Sequence, residues 1–485
     1  MPTDHKSLAG LDPLGRLYNE DLAPATERRW TSYNFFAVWM SAIHNIGTYT
    51  FVAGLFVIGL TGWQVLASIL LGTGILFFGM NWAGRMGQQT GVPFPVMARL
   101  SFGVWGANIP ALIRAVIAIC WYGIQTYLAS TAVVVLLLRI DPGLAQWQTQ
   151  SFVGLSYLGW ACFLLLWVLQ LLVITRGMEA VRRFQDWAGP IVWLVMLAMA
   201  LWLLAAADWN IPMNLSIKPL SGSAAWMGVL TGAFLLVSTY ATMLLNYCDF
   251  TRFAKSDRAV VAGNFWGIPI NFAAFAAISI TMTIGTVAVF GEAITDPALI
   301  LARVPNTFVL VVGALMFIVA TIGVNVVLNF VSPAYDLANV WPSKIDFRRG
   351  GIVSAVLALL VMPWNLYSNP IVVNYFLGAL GAFLGPLFGI MAVDYFLVRR
   401  SQVSIPDLYR ADAGGAYHFD GGFNMKAIGV FVPTAAVAAA VALVPALSAI
   451  SALSWPIGLV SSGIAYYLAM GGRHAVLLPA PGIVK

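Results

Sequence analysis

The chain has 485 residues, of which 60% are hydrophobic and only 9% carry a formal charge. Soluble domains contain roughly 25% charged residues, so this composition excludes a soluble globular protein and indicates a chain that lies mostly in lipid. The formal net charge of +6 could suggest a nucleic acid partner, but the distribution of the basic residues indicates membrane topology instead. We therefore expect the lipid bilayer as a partner, and no nucleic acid.

Apolar stretches recur along the whole chain at about the 20 residues that a helix needs to cross a bilayer. Residues 1–33 are polar and lack the apolar core of a signal peptide. The pattern predicts an all-α, polytopic membrane protein. The twelve predicted spans are residues 34–60, 64–83, 103–138, 153–174, 188–207, 224–247, 262–291, 306–331, 351–366, 372–397, 426–446 and 452–470.

Basic residues are distributed unevenly over the connections between these spans. With the N-terminus placed in the cytoplasm, almost all of the 25 Lys and Arg residues fall on cytoplasmic segments. The exceptions are Arg139, Lys218 and Arg303 outside the cell, and Arg114 within the third span, from which it can extend toward the cytoplasm. This asymmetry predicts a multi-pass protein of the cell membrane with both termini cytoplasmic. The predicted cytoplasmic segments are residues 1–33, the loop 398–425 and the tail 471–485.

Three spans carry polar residues near their middle. They are His44 and Asn45 in the first span, residues 238–242 in the sixth, and Asn325 and Asn329 in the eighth. Polar groups within a bilayer normally face the bundle interior, and Gly and Ser can simply allow close helix packing. The pairing of spans one and six favours two interrupted helices that flank a midplane binding site.

The third span contains Trp121 and Gln125 in the stretch "CWYGIQT". Residues four apart share one face of a helix, so this pair presents a flat aromatic surface beside an amide. Trp121 could instead be an interfacial or packing residue, and Gln125 could bond a neighbouring helix. Together with Asn329 and the predicted helix breaks, the pair indicates a binding site.

Catalytic motifs of membrane enzymes are missing from the sequence. Such chemistry generally needs paired acids or metal ligands in a cavity, and no DDxxD-like cluster, HExxH or CxxC occurs. Cys120, Cys162 and Cys248 lie far apart in apolar surroundings, which is typical of buried structural residues. We expect no enzymatic activity, no metal site and no cofactor.

Ordered motifs run through nearly the whole chain. They are "YNEDLAPATERRWTSYNFFAVWM", "FGVWGANIPALIRAVIAICWYGIQT", "YATMLLNYCDFTRFAKS", "LNFVSPAYDLANVWP" and "GPLFGIMAVDYFLVRR…DLY". In sequence and spacing they resemble the nucleobase–cation symporter-1 transporters, a family of permeases for cytosine, uracil, allantoin, hydantoins and related compounds. The resemblance implies a leucine-transporter-like core of two inverted five-helix repeats, residues 34–207 and 224–397, followed by two further helices in residues 426–470.

The resemblance also implies a secondary active symporter that imports a neutral, planar heterocycle by alternating access. In the family, a third-helix Trp stacks on the ring and a Gln one turn later hydrogen-bonds it, which implies these roles for Trp121 and Gln125. The eighth-helix amide corresponds to Asn329 and the first-helix amide to Asn45. The sixth helix usually offers a Trp before "AT"; Tyr240 stands there instead, which keeps a ring face and adds a hydroxyl.

A neutral ring fits these residues on physical grounds as well. Aromatic faces stack on a flat ring, and an amide can donate and accept at once along its edge. Asp249 and Asp394 fall near cytoplasmic ends, so the site should be uncharged. Alternatives that remain are a symporter of the same architecture for another small solute, such as an amino acid or thiamine, and a transporter-derived sensor. The oligomeric state does not follow from the sequence.

The coupling ion is expected to be a proton or sodium. Sodium-coupled relatives hold the ion with first-helix carbonyls, an eighth-helix carbonyl and an eighth-helix Ser/Thr pair. Alignment on "SPAY" places that eighth-helix carbonyl at Ala320 and the Ser/Thr pair at Gly323 and Val324. The last two provide no side-chain oxygen, although Thr321 and Asn325 are close in sequence and a shifted register could bring one of them in. We therefore hypothesise coupling to protons or a weak dependence on sodium, with His44 as a titratable residue unless backbone partners hold it neutral. The candidate cation-site residues are Ser41, His44 and Ala320.

Overall fold

The computed structural model describes residues 11–12, 14–210, 219–294, 297–367, 370–471 and 483–484. Within these residues, ten helices are long and apolar enough to cross a membrane, which confirms a polytopic all-α fold. Residues 1–10 of the predicted N-terminal segment, Lys218 and most of the predicted tail 471–485 lie outside the described residues.

Helices make up almost the whole described chain. In the first half they are α1 (Ser32–Ile43), α2 (Ile46–Val57), α3 (Gly62–Thr90), α4 (Phe94–Phe102), α5 (Asn108–Ile140), α6 (Tyr157–Ile174) and α7 (Met178–Ala206). In the second half they are α8 (Gly222–Asn246), α9 (Cys248–Thr251), α10 (Asp257–Phe265), α11 (Asn271–Phe290), α12 (Pro297–Ala302), α13 (Thr307–Asn325), α14 (Val331–Val340), α15 (Phe347–Leu360), α16 (Pro363–Tyr367), α17 (Pro370–Val393), α18 (Met425–Leu443) and α19 (Ser454–Ala469).

Short irregular elements complete the fold. π-Helical turns cover Trp266–Ile270, Val326–Phe330 and Asp394–Val398, and 3-10 turns cover Pro142–Gln148, Pro406–Tyr409 and Pro445–Leu453. Two antiparallel strand pairs, Ser151–Phe152 with Leu155–Ser156 and Val403–Ser404 with Ile483–Val484, lie outside the helices. Each of the twelve predicted spans coincides with helix. The first is divided between α1 and α2, and the ninth, α15, has 14 residues, fewer than a straight crossing needs.

The first membrane helix is interrupted at His44 and Asn45, as predicted. α1 ends at Ile43, Asn45 adopts an extended backbone (φ −142°, ψ 165°), and α2 begins at Ile46. The Asn45 side chain accepts a hydrogen bond from the Thr48 N–H at 3.0 Å and donates to the Ala42 carbonyl at 2.9 Å. One side chain therefore caps the start of α2 and satisfies the end of α1, which stabilises the break.

The sixth membrane helix is continuous, so the predicted interruption within residues 238–242 is wrong. α8 runs from Gly222 to Asn246 without a break. The Thr239 hydroxyl donates to the Leu235 carbonyl of the preceding turn at 2.9 Å. A hydroxyl that bonds its own helix in this way is compatible with helical backbone, and no proline lies in this segment to remove a helical N–H.

The eighth span contains a π-helical turn between α13 and α14. Pro333 follows this turn within α14. A proline has no N–H and its ring displaces the carbonyl four residues earlier, which at this position is Asn329. The wider turn at Val326–Phe330 accommodates this defect, and it places Asn329 at an irregular point of the helix.

Residues 17–31 cross one end of the bundle, which we define as the N-terminal face. Trp30 pairs with Ala254 in a parallel bridge. Arg252 donates to the Asp21 carbonyl at 2.9 Å, and the hydroxyl of Tyr409, from the predicted loop 398–425, donates to the Leu22 carbonyl at 2.7 Å. The N-terminal segment and the loop therefore pack together against this end of the bundle.

Candidate functional site

The break between α1 and α2 faces the middle of α5. A Cβ atom added to Gly47 would lie only 3.2 Å from Nε2 of Gln125, so the Gln125 amide lies directly against the first turn of α2. Trp121, one helical turn earlier on α5, is partly buried and packs against the apolar core. The two predicted ligand-binding residues of α5 therefore share one side of the helix beside the break.

The Gln125 amide has no hydrogen-bond partner among the described residues, although its side chain is partly buried. An amide in a lipid-embedded bundle normally finds a partner, because an unpaired polar group costs free energy there. The Gln125 amide is therefore available to donate and accept hydrogen bonds with a bound molecule.

Asn329 belongs to a chain of amides that reaches α5. Its Nδ2 donates to Oδ1 of Asn325 at 2.9 Å, and Nδ2 of Asn325 donates to the Thr126 hydroxyl at 3.0 Å and to the Tyr122 carbonyl at 3.3 Å. The side-chain oxygen Oδ1 of Asn329 makes no hydrogen bond within the described residues, and the residue is buried. One acceptor atom of Asn329 thus remains unused while its donor atom is held in place.

Tyr240 reaches the break but is completely buried. Its hydroxyl donates to the Ala42 carbonyl at 3.3 Å and lies 3.0 Å from the Thr48 hydroxyl. Asn45 Nδ2 donates to that same Thr48 hydroxyl at 2.9 Å. The ring of Tyr240 packs edge-on against Phe272 with centroids 5.2 Å apart. Tyr240 therefore stabilises the break through its hydroxyl, and its ring, which was predicted to offer a face to a bound molecule, is covered by protein.

Asn45 is likewise used by the protein itself. Besides the bonds to Ala42 and Thr48, its Nδ2 lies 3.2 Å from the Ile43 carbonyl, so both of its N–H groups have partners within the break. The five predicted substrate residues are thus gathered around one region, but in two layers. Trp121, Gln125 and Asn329 retain exposed surface or unused polar atoms, whereas Asn45 and Tyr240 form the support. Thr48 belongs to this support, and the predicted site lacked it.

The three candidate cation-site residues lie in two places, His44 and Ala320 at one cavity and Ser41 beside Gly323. His44 is buried, with Nε2 3.0 Å from Oδ1 of Asn271 and its ring edge-on to Phe275 at 5.0 Å. Ser41 instead faces Gly323 on α13, its hydroxyl buried without a partner among the described residues. His44 and Ala320 line one small cavity, whose other walls come mainly from α7 and α13. Those walls are Val192, Val195, Met196, Met199, Gly313, Met316 and Phe317, together with Asn45 and Pro297.

An amide from α7 lies against Gly323, one of the two positions at which the resemblance led us to look for a hydroxyl. Nε2 of Gln185 donates to the Gly323 carbonyl at 3.0 Å, and Oε1 lies 3.8 Å from the position of a Cβ on Gly323. Sodium needs several oxygen ligands, and an N–H group that already binds a carbonyl competes with a cation for it. The Gly323 carbonyl is therefore already bonded by Gln185, while Oε1 of Gln185 and the Ser41 hydroxyl nearby are buried without a partner among the described residues.

Arg114, which was expected to extend toward the cytoplasmic side of its span, lies inside the bundle. Its side chain is fully buried. Nε donates to the Thr242 carbonyl at 3.1 Å, and Nη2 donates to the Leu328 carbonyl at 2.7 Å. The guanidinium thus joins α5 to α8 and to the π-helical turn that carries Asn329.

A bundle of apolar membrane-crossing helices, with an interrupted helix facing an unpartnered amide in its interior, defines a polytopic membrane transport protein. The particular family follows from comparison with known sequences. A family model described as permease for cytosine/purines, uracil, thiamine and allantoin matches residues 23–458. The chain belongs to this family, as the sequence motifs indicated, and it is a transporter rather than an enzyme.

Named relatives match the chain over almost its whole length. An allantoin permease from Bacillus subtilis (strain 168) is 41% identical over 94% of this chain and 93% of its own. A purine-uracil permease from Arabidopsis thaliana is 32% identical over 90% of this chain and 73% of its own. Among solved structures, Mhp1, a nucleobase-cation-symport-1 family transporter in a closed conformation with bromovinylhydantoin bound, superposes with a TM-score of 0.76 at 25% identity, covering 94% of this chain and 95% of that one.

Proposed function

We propose that this protein is a secondary active symporter that imports a neutral heterocycle of the allantoin, hydantoin or nucleobase type by alternating access. The observation that carries the proposal is the Gln125 amide, which lies beside Trp121 and opposite the helix break without a partner of its own. Trp121 stacks on the ring, and Gln125 and Asn329 bond its edge. Asn45 and Tyr240 shape the break against which the ring lies.

Allantoin is the first compound to test, because the relative with 41% identity is an allantoin permease. Its cyclic and ureido amide groups present N–H donors and C=O acceptors along one edge, which amide side chains can match. Among the described residues, no charged side chain hydrogen-bonds to Gln125 or Asn329, so a neutral compound suits the site better than an amino acid. Zwitterion binding would support the alternative of an amino-acid symporter.

The test is a thermal-shift panel on purified protein with allantoin, benzyl-hydantoin, uracil, cytosine, adenine and uric acid, and with amino acids as negative controls. A ligand at 100 times its dissociation constant should add about 2.7 kcal/mol to the free energy of unfolding. Gln125→Ala should weaken the binding of a positive compound by roughly 1–3 kcal/mol, because a buried polar group of the ligand loses its partner.

The matched control is Gln146→Ala in the exposed turn Pro142–Gln148, which should leave affinity unchanged. A folded Gln125→Ala variant that binds as tightly as the unmodified protein would remove Gln125 from the site. No shift with any heterocycle would contradict the proposed substrate class.

We propose further that the gradient that drives import is one of protons. Support comes from Gly323 and Val324, which provide no side-chain oxygen, and from the Gln185 amide that bonds the Gly323 carbonyl. The test compares uptake in sodium and choline media at fixed pH, with and without a protonophore. Equal uptake in both media, abolished by the protonophore, is the expected result; uptake that requires sodium would overturn it.

The orientation in the membrane is part of the same proposal. The N-terminal face carries Arg29, Arg85, Arg258 and Arg348, and we propose that it is cytoplasmic under the positive-inside rule. Residues 34–207 and 224–397 then form the two inverted repeats. Reporter fusions after the connections 141–156 and 399–424 should report opposite sides of the membrane, and fusions that report the same side would contradict this topology.

A further inference from the structure

A group of charged side chains is buried between α5, α9 and α14, on the side of the candidate site that faces the N-terminal segment. Arg114, Asp249 and Asp336 each have no exposed surface, and Arg114 lies within electrostatic range of both carboxyl groups. Buried charges in a membrane bundle are costly and are associated with ion and proton pathways. The contacts of the three residues differ, and the difference assigns them different roles.

Asp249 is fully used in packing. Its Oδ1 accepts the backbone N–H of Phe94 at 2.7 Å and its Oδ2 accepts Nδ2 of Asn246 at 3.0 Å. Phe94 is the first residue of α4, so Asp249 anchors the start of that helix. These two donors satisfy both carboxyl oxygens of Asp249, so we assign it a structural role.

Asp336 has one oxygen to spare. Its Oδ2 accepts the hydroxyl of Ser332 at 2.9 Å, whereas Oδ1 is buried without a partner among the described residues. Nη1 of Arg114 is buried and unpartnered in the same way. One acceptor and one donor of opposite charge are thus left open within one buried cluster, and no ion pair between these two residues occurs in the described part of the chain.

Arg114 links this cluster to the candidate binding site. It holds the Leu328 carbonyl at 2.7 Å, immediately before Asn329, and the Thr242 carbonyl at 3.1 Å, two residues after Tyr240. Nη2 also bonds Oδ1 of Asn246 at 3.2 Å. Any movement of the guanidinium toward Asp336 would weaken bonds that position both the π-helical turn and α8.

We propose that Asp336 carries the proton that is transported with the substrate, and that Arg114 transmits its protonation state to the site. This inference rests on the proposed proton coupling. With Asp336 protonated, Arg114 stays bonded to the Leu328 and Thr242 carbonyls and the site is held closed. When the Asp336 O–H bond breaks and its proton passes to water at the N-terminal face, the carboxylate attracts Nη1 of Arg114. The bonds to α8 and to the π-helical turn weaken, and the site opens toward that face.

The other charged groups around α14 have partners elsewhere. On α4, Arg99 donates to Oδ1 of Asn339 at 2.7 Å and to the Leu408 carbonyl at 2.9 Å. Arg252, after α9, lies over the ring of Tyr335 and donates to the Asp21 carbonyl.

At the start of α15, Arg348 donates to the Thr175 carbonyl at 2.9 Å and Arg349 is exposed, paired with Asp346. Among the described residues, the charges that act on Asp336 are therefore those of Arg114 and Asp249.

The test uses the full chain in proteoliposomes with an imposed pH gradient. Asp336→Asn keeps the shape of the side chain but cannot release a proton. We expect this variant to retain ligand binding but to lose both gradient-driven accumulation and exchange of labelled for unlabelled substrate. A side chain that cannot become a carboxylate leaves Arg114 bonded to the Leu328 and Thr242 carbonyls and the site closed toward the N-terminal face. Asp257→Asn, at the exposed start of α10, is the matched control and should accumulate substrate normally.

Ser332→Ala provides a second variant if Asp336→Asn fails to fold. It removes the hydroxyl that stabilises the carboxylate, so proton release should need a higher pH and the pH profile of uptake should move upward, with exchange retained. Gradient-driven accumulation by folded Asp336→Asn, or an unmoved profile in Ser332→Ala, would overturn the inference while leaving the proposed function intact. An unmodified protein that accumulates substrate only with sodium would instead overturn the proposed proton coupling.

Discussion

Replacing Gly47 by alanine tests whether the Gln125 amide lies where a ligand would meet it. The new Cβ would lie 3.1 Å from Oδ1 of Asn45 and 3.2 Å from Nε2 of Gln125. Both distances are shorter than ordinary van der Waals contact, so these two side-chain ends must move by a few tenths of an ångström. Movement of Asn45 weakens the helix cap, which costs about 0.5–2 kcal/mol when a cap is lost entirely.

The two effects of Gly47→Ala on stability oppose each other. Alanine stabilises a helix relative to glycine by about 0.8–1 kcal/mol, so the free energy of unfolding should change little. Ligand affinity should fall, because a displaced Gln125 amide no longer aligns with the ligand; the loss of one hydrogen bond costs about 1 kcal/mol, or roughly fivefold in dissociation constant.

Gly54→Ala is the matched control for this experiment, because Gly54 lies on the same helix with no atom within 4 Å of its added Cβ. It should raise stability by about 1 kcal/mol and leave affinity unchanged. Thermal unfolding and equilibrium binding of the compound identified in the panel measure both quantities. If Gly47→Ala behaves like Gly54→Ala in both assays, the described position of Gln125 is not its position in the ligand-binding state.

Two further predictions concern the support of the break and the coupling ion. Tyr240→Phe removes the hydroxyl that bonds Ala42 and Thr48, so it should lower the free energy of unfolding by about 1 kcal/mol and leave ligand affinity nearly unchanged. The same two assays measure both quantities. A large loss of affinity at unchanged stability would show instead that the ligand touches Tyr240. Gly323→Ser combined with Val324→Thr should introduce sodium stimulation of uptake, because the double variant supplies the two missing hydroxyls. Val324→Thr alone is the control. Uptake by the double variant that does not respond to sodium would show that these hydroxyls are not what is missing.

Hydropathy was sufficient to predict the helices, because each long apolar segment has one stable structure in a bilayer, a helix that satisfies its own backbone. The break at Asn45 was also predictable, since Asn is a strong helix cap and Gly47 follows it. Hydroxyl residues in the sixth span suggested a second break by the same reasoning, but Thr239 bonds its own helix. A Ser or Thr pattern alone cannot distinguish a broken helix from one whose hydroxyls point back at the preceding turn.

The division of the site into two layers was not predictable from the sequence. The positions of Gln125 and Asn45 followed from the family motifs, but whether each amide is occupied depends on neighbours far away in the chain. Tyr240 bonds Thr48 across 192 residues, and Gln185 bonds Gly323 across 138. The buried contacts of Arg114 with α8 and the π-helical turn are of the same kind. Such contacts depend on which helices pack together, and the spacing of residues along a single sequence does not show this.

Some residues around the break are needed to satisfy its backbone groups and others are not, and this difference affects which of them can vary to change specificity. Two helix ends inside a bundle leave backbone groups that must find partners, and Asn45, Thr48 and Tyr240 satisfy one another there. Because these three are occupied, exchange of one for another side chain would disturb the break before it altered ligand recognition. Trp121 and Gln125 belong to α5, a continuous helix whose backbone hydrogen bonds do not involve either side chain. Under the proposed function, selectivity for the ring can therefore vary through α5 at little cost to the fold, whereas the opposite wall of the site is constrained by the break itself.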